Sequence, residues 1–262
     1  MDKKEYLLQQ IIQAYLRHLE PIGSSQLKNM YNIDFSPATI RGYFKKLGDE
    51  GYLAQEHISS GRVPTYEALK EYWSKRLNFE LADLNLNHLI RLAKSLGLTI
   101  LFKETKELKL QNIYNFDNSF LVLDFGLQKI NIKFNGAIAR FLQDLVGLDM
   151  RTIIDVASQV GAVELKIELQ KSMRSNGFEI INLKPLISML NDYDFEENYA
   201  MSFLNGEILD KISQGLHFEK LLPSGFLGAC HECKIEGKDS KILIIGQLST
   251  DYLYFYNNLR GA

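Results

Sequence analysis

The dipeptide Ser36-Pro37 constrains the fold of the N-terminal part of this chain more than any other feature. A serine hydroxyl can cap the first turn of a helix, and proline is favoured at the first helical position, where its missing N–H costs nothing. The residues that follow place Ile40, Phe44 and Leu47 at helical spacing. The sequence therefore predicts a helix that begins at Ser36-Pro37 and buries that face.

Two further helices are predicted before this one. Apolar residues repeat with a helical period over residues 3–18, and residues 20–23 interrupt the pattern. Ser24 is a suitable N-cap for a short second helix that buries Leu27. Residues 32–35 are then the turn that leads to the third helix.

A hairpin is predicted after the third helix. Residues 52–57 have the pattern of a strand, residues 59–62 that of a turn with Arg62 at its tip, and Val63-Pro64 that of the returning strand. Three helices followed by such a wing predict a winged helix-turn-helix domain over residues 1–78.

The third helix also predicts a surface that could contact DNA. The residues opposite its buried face are small, polar or basic: Ala38, Thr39, Arg41, Gly42, Lys45 and Lys46. Small residues permit close approach to a major groove. Arginine can donate a pair of hydrogen bonds to guanine or phosphate, and threonine can form a hydrogen bond with a base edge. Arg62 could reach a neighbouring minor groove, and His57 could contact a phosphate. The alternative is a small helical core whose exposed charges are merely solvated.

Charge does not decide between these alternatives. Residues 1–76 hold 11 Lys and Arg against 9 Asp and Glu, which gives +2 and leaves −4 for the remainder of the chain. This asymmetry permits a nucleic-acid surface. It is also compatible with a module that uses the same helices for protein contacts.

Three motifs occur in an order that resembles the HrcA family of heat-inducible transcription repressors. The first is Gly23-Ser24 with Leu27, the second is SPATIR over residues 36–41, and the third is GYLAQEHISSGRVPT over residues 51–65. The chain departs from the family pattern at Gly42, where the family has Asn after the Arg of ATIR. Gly42 therefore removes a side chain that could touch the operator.

The resemblance and the predicted helix face together imply a set of residues that contact double-stranded DNA. They are Ser24, Ser36, Pro37, Ala38, Thr39, Arg41, Gly42, Lys45, Lys46, His57, Ser59, Gly61 and Arg62. The resemblance further implies a homodimer that binds an inverted-repeat operator upstream of chaperone genes and represses them. It also implies that a GroEL-type chaperonin helps the repressor reach its active form.

The rest of the chain predicts an α+β domain. Short apolar or alternating runs separated by Asn, Asp and Gly predict an antiparallel sheet, and helical periods follow them. The predicted strands cover residues 98–102, 108–114, 120–125, 129–134, 178–183, 226–235 and 241–248, and the predicted helices cover 65–77, 141–146, 151–160, 164–173 and 251–259. The apolar run ILIIG, residues 242–246, is expected to be a central strand.

The expected fold class is α+β, with the winged helix-turn-helix domain followed by a GAF-like domain. Residues 79–96 are expected to form a connecting helix or linker, and residues 97–262 the regulatory and dimerisation domain. The GAF-like fold is implied by the resemblance, because IGQLSTDY over residues 245–252 is similar to the IGPTRMDY-type segment of the family. The family's inserted dimerisation segment is expected here in a reduced form, at about residues 185–225.

Other chemistries are weakly indicated. Cys230 and Cys233 have the C-x-x-C spacing of a redox pair or half a zinc site, but no second cysteine pair exists, and in a strand the two would point to opposite faces. We therefore expect no metal and no cofactor, although ligand sensing by a GAF-like domain stays open. No motif for phosphate binding or nucleophilic catalysis is present, so we expect no enzyme. The sequence has no apolar run of membrane-spanning length and no secretion signal, so we expect a cytoplasmic protein without a membrane partner.

Overall fold

Three helices at the N-terminus pack around one apolar core in the computed structural model, which describes residues 2–55, 57, 60–77, 80–105, 108–126, 128–174 and 177–259. The helices are α1 (Lys3–His18), α2 (Ser24–Tyr31) and α3 (Pro37–Asp49). Leu7, Ile11 and Leu27 are fully buried between them, because apolar residues at helical spacing line the inner side of each helix. We call residues 2–64 the three-helix unit.

The start of α3 forms as the sequence predicts. Ser36 Oγ accepts a hydrogen bond from the Thr39 N–H at 3.1 Å, and Pro37 lies in the first turn. Ile40, Phe44 and Leu47 are all buried. The predicted cap and the predicted inner face of this helix are both confirmed.

The predicted cap of α2 is wrong by one residue. The N-cap is Gly23, and its N–H donates to Gln26 Oε1 at 3.2 Å. Ser24 is instead the first helical residue, and its side chain makes no capping bond. A glutamine three residues after the cap satisfies the donor, so the serine hydroxyl is available to another partner.

A short hairpin follows α3. Strands β1 (Leu53–Ala54) and β2 (Val63–Pro64) pair antiparallel, so the first strand is shorter than the predicted 52–57. Arg62 is not at the tip as predicted, because its N–H and C=O exchange hydrogen bonds of 2.9 Å with Ile22. Gly61 permits this contact, since a Cβ there would lie 2.5 Å from the carbonyl carbon of Ile22.

The next helix, α4 (Tyr66–Arg76), joins the three-helix unit to the rest of the chain. Thr65 Oγ1 accepts from the Ala68 N–H and so caps the helix, which was predicted over residues 65–77. The side chain of Trp73 is fully buried, and its Nε1 donates to the Leu248 carbonyl at 2.7 Å. This helix is therefore part of the C-terminal core, and Ile12 of α1 packs into the same core.

The C-terminal core is built on one six-stranded sheet. Its strands are β3 (Asp83–Leu84), β4 (Thr99–Glu104), β8 (Phe178–Ile181), β9 (Gly215–His217), β10 (Phe226–Ile235) and β11 (Lys238–Gln247). Five of them lie in the order β3-β10-β11-β4-β8, and β9 also pairs with β10. All pairs are antiparallel except β3 with β10. The prediction that the ILIIG strand is central is confirmed.

Helices cover both faces of this main sheet. Ile242 and Ile244 of β11 face α4, α5 (Leu86–Leu96) and α12 (Tyr252–Leu259), whereas Leu243 and Ile245 face α9 (Leu183–Asp192), α10 (Glu197–Leu204) and α11 (Glu207–Lys211). Successive side chains of a strand point to opposite faces of the sheet. Because both faces are buried at residues 242–245, all four positions are apolar, which explains the continuous apolar run in the sequence. The mixed sheet with helices confirms the α+β class.

The hairpin between β10 and β11 is tighter than predicted. Ile235 pairs with Lys238, which leaves only Glu236 and Gly237 in the turn, both with positive φ. Such two-residue turns match the twist of the strands that they connect. The second strand therefore begins at Lys238 rather than at 241.

Residues 108–174 form a separate unit inserted between β4 and β8. It contains strands β5 (Asn112–Phe116), β6 (Phe120–Asp124) and β7 (Lys129–Lys133) and helices α6 (Gly136–Gln143), α7 (Met150–Gln159) and α8 (Val163–Arg174). The three strands form their own antiparallel sheet, whose buried residues pack on these helices rather than on the main sheet. We call this segment the inserted unit.

Two expectations about domain organisation are therefore corrected. The insertion is not at about 185–225, because those residues form α9–α11 and β9 and pack on the main sheet. The expected connecting helix is present as α5 over Leu86–Leu96, but this segment is not a linker, because β3 pairs with β10 and α5 buries Leu89 and Leu92 in the main core. Within the described ranges, the longest apolar helical stretch falls short of what a bilayer crossing requires.

Candidate nucleic-acid interface

The outward side of α3 carries the residues that were predicted to face solvent. Every one of Ala38, Thr39, Arg41, Gly42, Lys45 and Lys46 is exposed. We call these six residues the α3 surface. It lies opposite the buried face, because side chains three and four residues apart stack on one side of a helix.

The charges of the α3 surface are not neutralised by the protein. Among the described residues, neither Lys45 nor Lys46 has a carboxylate within 4 Å, and Lys46 Nζ lies 5.7 Å from the centre of the Tyr43 ring. Two other lysines nearby are paired: Lys4 Nζ lies 2.8 Å from Glu50, and Lys75 Nζ lies 2.6 Å from Glu71. The outward side of α3 therefore presents positive charges that no described carboxylate neutralises.

The N-terminal end of α3 adds a partial positive charge to this region. Ser36 is exposed and Pro37 is half-buried, and the two hydroxyls of Ser36 and Thr39 lie 2.9 Å apart. The free N–H groups of a helix start and its macrodipole favour nearby anions such as phosphate. The cap and the basic side chains thus act electrostatically in the same direction.

Ser24 does not share the exposure of the α3 surface. It is 9% exposed, and its hydroxyl accepts a hydrogen bond from Arg41 Nη1 at 3.4 Å. Direct DNA contact by this residue is thus disfavoured by its burial.

The hairpin residues divide into a tip and a seam. At the tip, exposed His57 is held by Ser60, whose hydroxyl donates to the His57 carbonyl at 2.7 Å and accepts from its N–H at 3.1 Å. At the seam, Gly61 and half-buried Arg62 lie against Ile22. Ser59 lies outside the described residues.

Sequence reasoning missed the segment that connects these features. Ile22 pairs with Arg62 of the hairpin, and two residues later Ser24 binds Arg41 of α3. Residues 22–24 therefore hold the hairpin and α3 in a fixed relation. The Gly23-Ser24 motif was the available signal, but its partners are distant in sequence.

The cysteines do not form a second site. Cys230 packs on the α9–α11 face of the main sheet and Cys233 on the opposite face, as predicted for a strand. Burial raises the pKa of Cys230 to about 11 and that of Cys233 to about 12, so both remain protonated thiols at neutral pH. No group of three or more His, Cys, Asp or Glu among the described residues is placed to hold a metal ion.

A cleft of about 200 Å³ lies between α1 and α4. Its floor is apolar, with Leu8 and Ile12, and its rim includes the paired charges of Lys4 with Glu50 and of Glu71 with Lys75. Glu5 and Arg76 also line the cleft, and Arg76 lies over the Tyr72 ring at 4.4 Å from its centre.

Sequence comparison identifies relatives along the whole chain. A family model described as the HrcA C-terminal domain matches residues 73–262. The heat-inducible transcription repressor HrcA of Helicobacter pylori strain ATCC 700392 / 26695 is 32% identical over 99% of this chain and 95% of that protein. The repressor of the same name from Clostridium perfringens strain SM101 is 24% identical over 100% of this chain and 74% of its own length.

A solved structure has a similar fold. The crystal structure of a hypothetical protein matches with a TM-score of 0.52 at 19% identity and covers 99% of this chain and 96% of the other. At this level of identity the match concerns the fold alone, and it agrees with the α+β architecture.

Proposed function

This chain belongs to the HrcA family of heat-inducible transcription repressors, and we propose that it represses heat-shock genes by binding an inverted-repeat DNA operator as a homodimer. In this proposal the three-helix unit is a winged helix-turn-helix domain, and the main sheet with its helices is a GAF-like regulatory domain. The protein acts in the cytoplasm, where the operator is.

The observation that carries the proposal is the exposed and unpaired positive charge of the α3 surface. A helix fits the major groove of B-DNA, where Arg41 can donate two hydrogen bonds to guanine. Ala38 and Gly42 leave room for close approach, while Lys45 and Lys46 contact phosphates. The start of α3, with Ser36, Pro37 and Thr39, lies near the backbone.

The hairpin supplies the second part of the proposed contact. His57 at its tip binds phosphate, and Arg62 reaches the neighbouring groove from the half-buried seam. Gly61 serves this contact indirectly, because it lets the hairpin approach Ile22. Ser59 stays in the proposed set on the strength of the sequence motif.

The inserted unit supports the homodimer part of the proposal. Val160, Val163 and Ile167 are 59%, 60% and 53% exposed, along the α7–α8 turn and the outer side of α8. We call them the α8 surface. Exposed apolar groups of this kind mark protein contacts, and a two-fold interface would place the same surface of each copy together. Two copies could then present two α3 helices to the two halves of an inverted repeat.

The proposal includes control by heat and by a GroEL-type chaperonin. Native domains are stable by only about 5 to 15 kcal/mol, so heating lowers the fraction of paired, active repressor. An unpaired α8 surface is apolar and accessible, which is the kind of surface that chaperonins bind. Chaperonin that is free of other unfolded proteins would then return the repressor to its active form.

DNA binding by the full chain tests the proposal. Wild-type protein selects duplexes from a random pool, and fluorescence anisotropy compares a selected inverted repeat with a scrambled duplex at one fixed salt concentration, with and without GroEL and ATP. We expect saturable preference for the inverted repeat. Failure to select any duplex, or equally weak binding to both, would overturn the proposal in favour of a protein-interaction module or a ligand-sensing regulator.

A matched pair of variants locates the contact. The double variant Lys45→Ala, Lys46→Ala should lower the slope of log affinity against log salt by about two, one for each phosphate contact. The control Lys70→Ala, Lys75→Ala removes the same charge from lysines of α4 that pair with carboxylates. Its slope should equal that of the wild type.

A further inference from the structure

We propose that Ser24 is a positioning residue for Arg41: its buried hydroxyl orients the guanidinium on the α3 surface, and Ser24 itself does not touch DNA. The inference rests on the proposed function, since it assumes that Arg41 reads the operator. It changes the role of Ser24 from a contact to a support.

The geometry allows Ser24 to support Arg41 but not to contact DNA itself. Ser24 is 9% exposed and lies beneath Arg41, whose Nη1 donates a long hydrogen bond of 3.4 Å to Ser24 Oγ, beyond the usual range of about 2.7 to 3.2 Å. Arg41 itself is exposed. A group entering along the α3 surface therefore meets the guanidinium before it could meet the serine.

The hydroxyl of Ser24 is available because the helix start does not use it. Gly23 is the N-cap, and its N–H is satisfied by Gln26 Oε1 at 3.2 Å. A serine in the first turn would otherwise compete for backbone donors. Here its oxygen accepts from the guanidinium instead.

The backbone segment that carries Ser24 is itself held in place by the hairpin. Ile22, two residues before Ser24, exchanges two backbone hydrogen bonds of 2.9 Å with Arg62, and Gly61 leaves no room for a Cβ against the Ile22 backbone. The hairpin thus anchors the segment from which Ser24 holds Arg41. A reading side chain that is held by a rigid second group loses less conformational entropy on binding.

The arrangement leaves Arg41 competent to read a base. A guanidinium has five N–H donors, and Ser24 engages one nitrogen. The remaining donors can form the paired hydrogen bonds that guanine accepts in the major groove. The orientation of the Arg41 guanidinium should therefore affect the preference for the operator over other sequences more than it affects binding to DNA in general.

A double-mutant cycle tests this role. Anisotropy on the selected and scrambled duplexes compares wild type, Ser24→Ala, Arg41→Ala and the double variant, all as full chains. Ser24→Ala should reduce the preference for the selected duplex about 3- to 10-fold, as expected for one hydrogen bond. The same change in the Arg41→Ala background should have almost no effect. Ser25→Ala is the matched control, because that neighbouring serine is exposed.

A second pair separates the hydroxyl from folding effects. Ser24→Thr and Ser24→Val have nearly the same shape, but only threonine retains the hydroxyl, so Ser24→Thr should keep more operator preference at equal thermal stability. Equal losses in Ser24→Thr and Ser24→Val would overturn the inference, as would a Ser24→Ala effect of the same size with and without Arg41. If Arg41→Ala alone binds like wild type, the reading role of Arg41 and this inference both fail. Absence of any selected duplex would instead count against the proposed function.

Discussion

The three-helix unit and the inserted unit both enclose a small apolar core of their own, but they expose opposite kinds of side chain. The outer side of α3 presents Arg41, Lys45 and Lys46, whereas the outer side of α8 presents Val163 and Ile167. The inward faces of both helices are apolar, as packing requires. The outward faces are free of that requirement, so they are informative about what each unit contacts.

This difference separates two tasks on one chain. Positive, well-solvated groups gain free energy near a polyanion through release of counterions. Exposed apolar groups gain free energy when another apolar surface removes them from water. We therefore expect changes on the α8 surface to act through pairing of the chain, and changes of the charged side chains of the α3 surface to act through DNA binding.

The largest effect should come from placing charge on the α8 surface. The double variant Val163→Glu, Ile167→Glu would bury four carboxylates in a two-fold interface, and desolvation of each costs several kcal/mol. We expect loss of the dimer in sedimentation velocity and a fall in operator affinity of about 100-fold or more. Tyr254→Glu is the control, because it charges an exposed aromatic side chain on α12. A double variant that still sediments as a dimer would contradict the pairing role of this surface.

Arg41→Ala should have the next largest effect and should leave the dimer intact. Loss of a paired contact to a base costs about 1 to 3 kcal/mol and relaxes discrimination at one operator position. Anisotropy against operators with single base changes measures both quantities. Arg140→Ala removes an exposed arginine from the inserted unit and should change neither. Uniform weakening across all sequences would indicate a phosphate contact instead.

The helix caps of the two units should respond differently to acid. In the inserted unit, Asp149 accepts from the N–H groups of Arg151 and Thr152, and the Thr152 hydroxyl with these amides holds the pKa of Asp149 below its ordinary value of 3.8. Stability from such a lowered pKa is present above the unfolded value and is lost as pH falls through the folded value. The α3 cap, Ser36, is a hydroxyl and does not titrate in this range.

Urea unfolding at neutral pH and at about pH 3 measures this contrast. Asp149→Ala and Ser36→Ala should each cost about 1 kcal/mol at neutral pH, the usual value of an N-cap. Only the Asp149→Ala penalty should shrink on acidification, because the stability that comes from a lowered pKa declines once the pH falls below the ordinary value of 3.8. Equal penalties for Asp149→Ala at both pH values would contradict the assignment.

The smallest effect should come from Gly42→Ala, with opposite signs for folding and binding. A Cβ at position 42 meets no atom of another element within 4 Å, so alanine should stabilise the exposed helix by up to about 1 kcal/mol. If the bare backbone permits close approach to DNA, operator affinity should nevertheless fall. Gly48→Ala is the matched control in the same helix, since its Cβ would lie at an ordinary 3.6 Å from the Leu53 carbonyl oxygen. Equal operator binding by both variants would mean that Gly42 is merely tolerated.

Local patterns predicted α1–α4, α7, α8, α12 and the long strands well, whereas α6 begins five residues before its predicted start and α9, α10 and α11 were not predicted. The bounds of α1 and of β10 agree with residues 3–18 and 226–235, because hydrophobic period and turn residues determine such elements nearby in sequence. The buried stripe of α3 and its exposed side were predictable for the same reason. The short strands β3 and β9 were missed, since two or three residues show no period.

Contacts between residues that are distant in sequence could not be predicted from the sequence. The strands at 112–116, 120–124 and 129–133 look like neighbours of β4, yet they bury one face on α6–α8 and form their own sheet. The contacts of Ile22 with Arg62 and of Ser24 with Arg41 join residues that are far apart in sequence. Exposure within the candidate site was therefore predictable, whereas the arrangement that supports it was not.

Hydrogen–deuterium exchange of the full chain, at low and high protein concentration and with and without the selected duplex, tests the separation of tasks most directly. We predict that the duplex protects residues 36–49 and the hairpin, and that raising the protein concentration protects residues 160–167 without DNA. Protection of residues 160–167 by the duplex at a concentration where the chain is already paired, with no change in α3, would contradict the account.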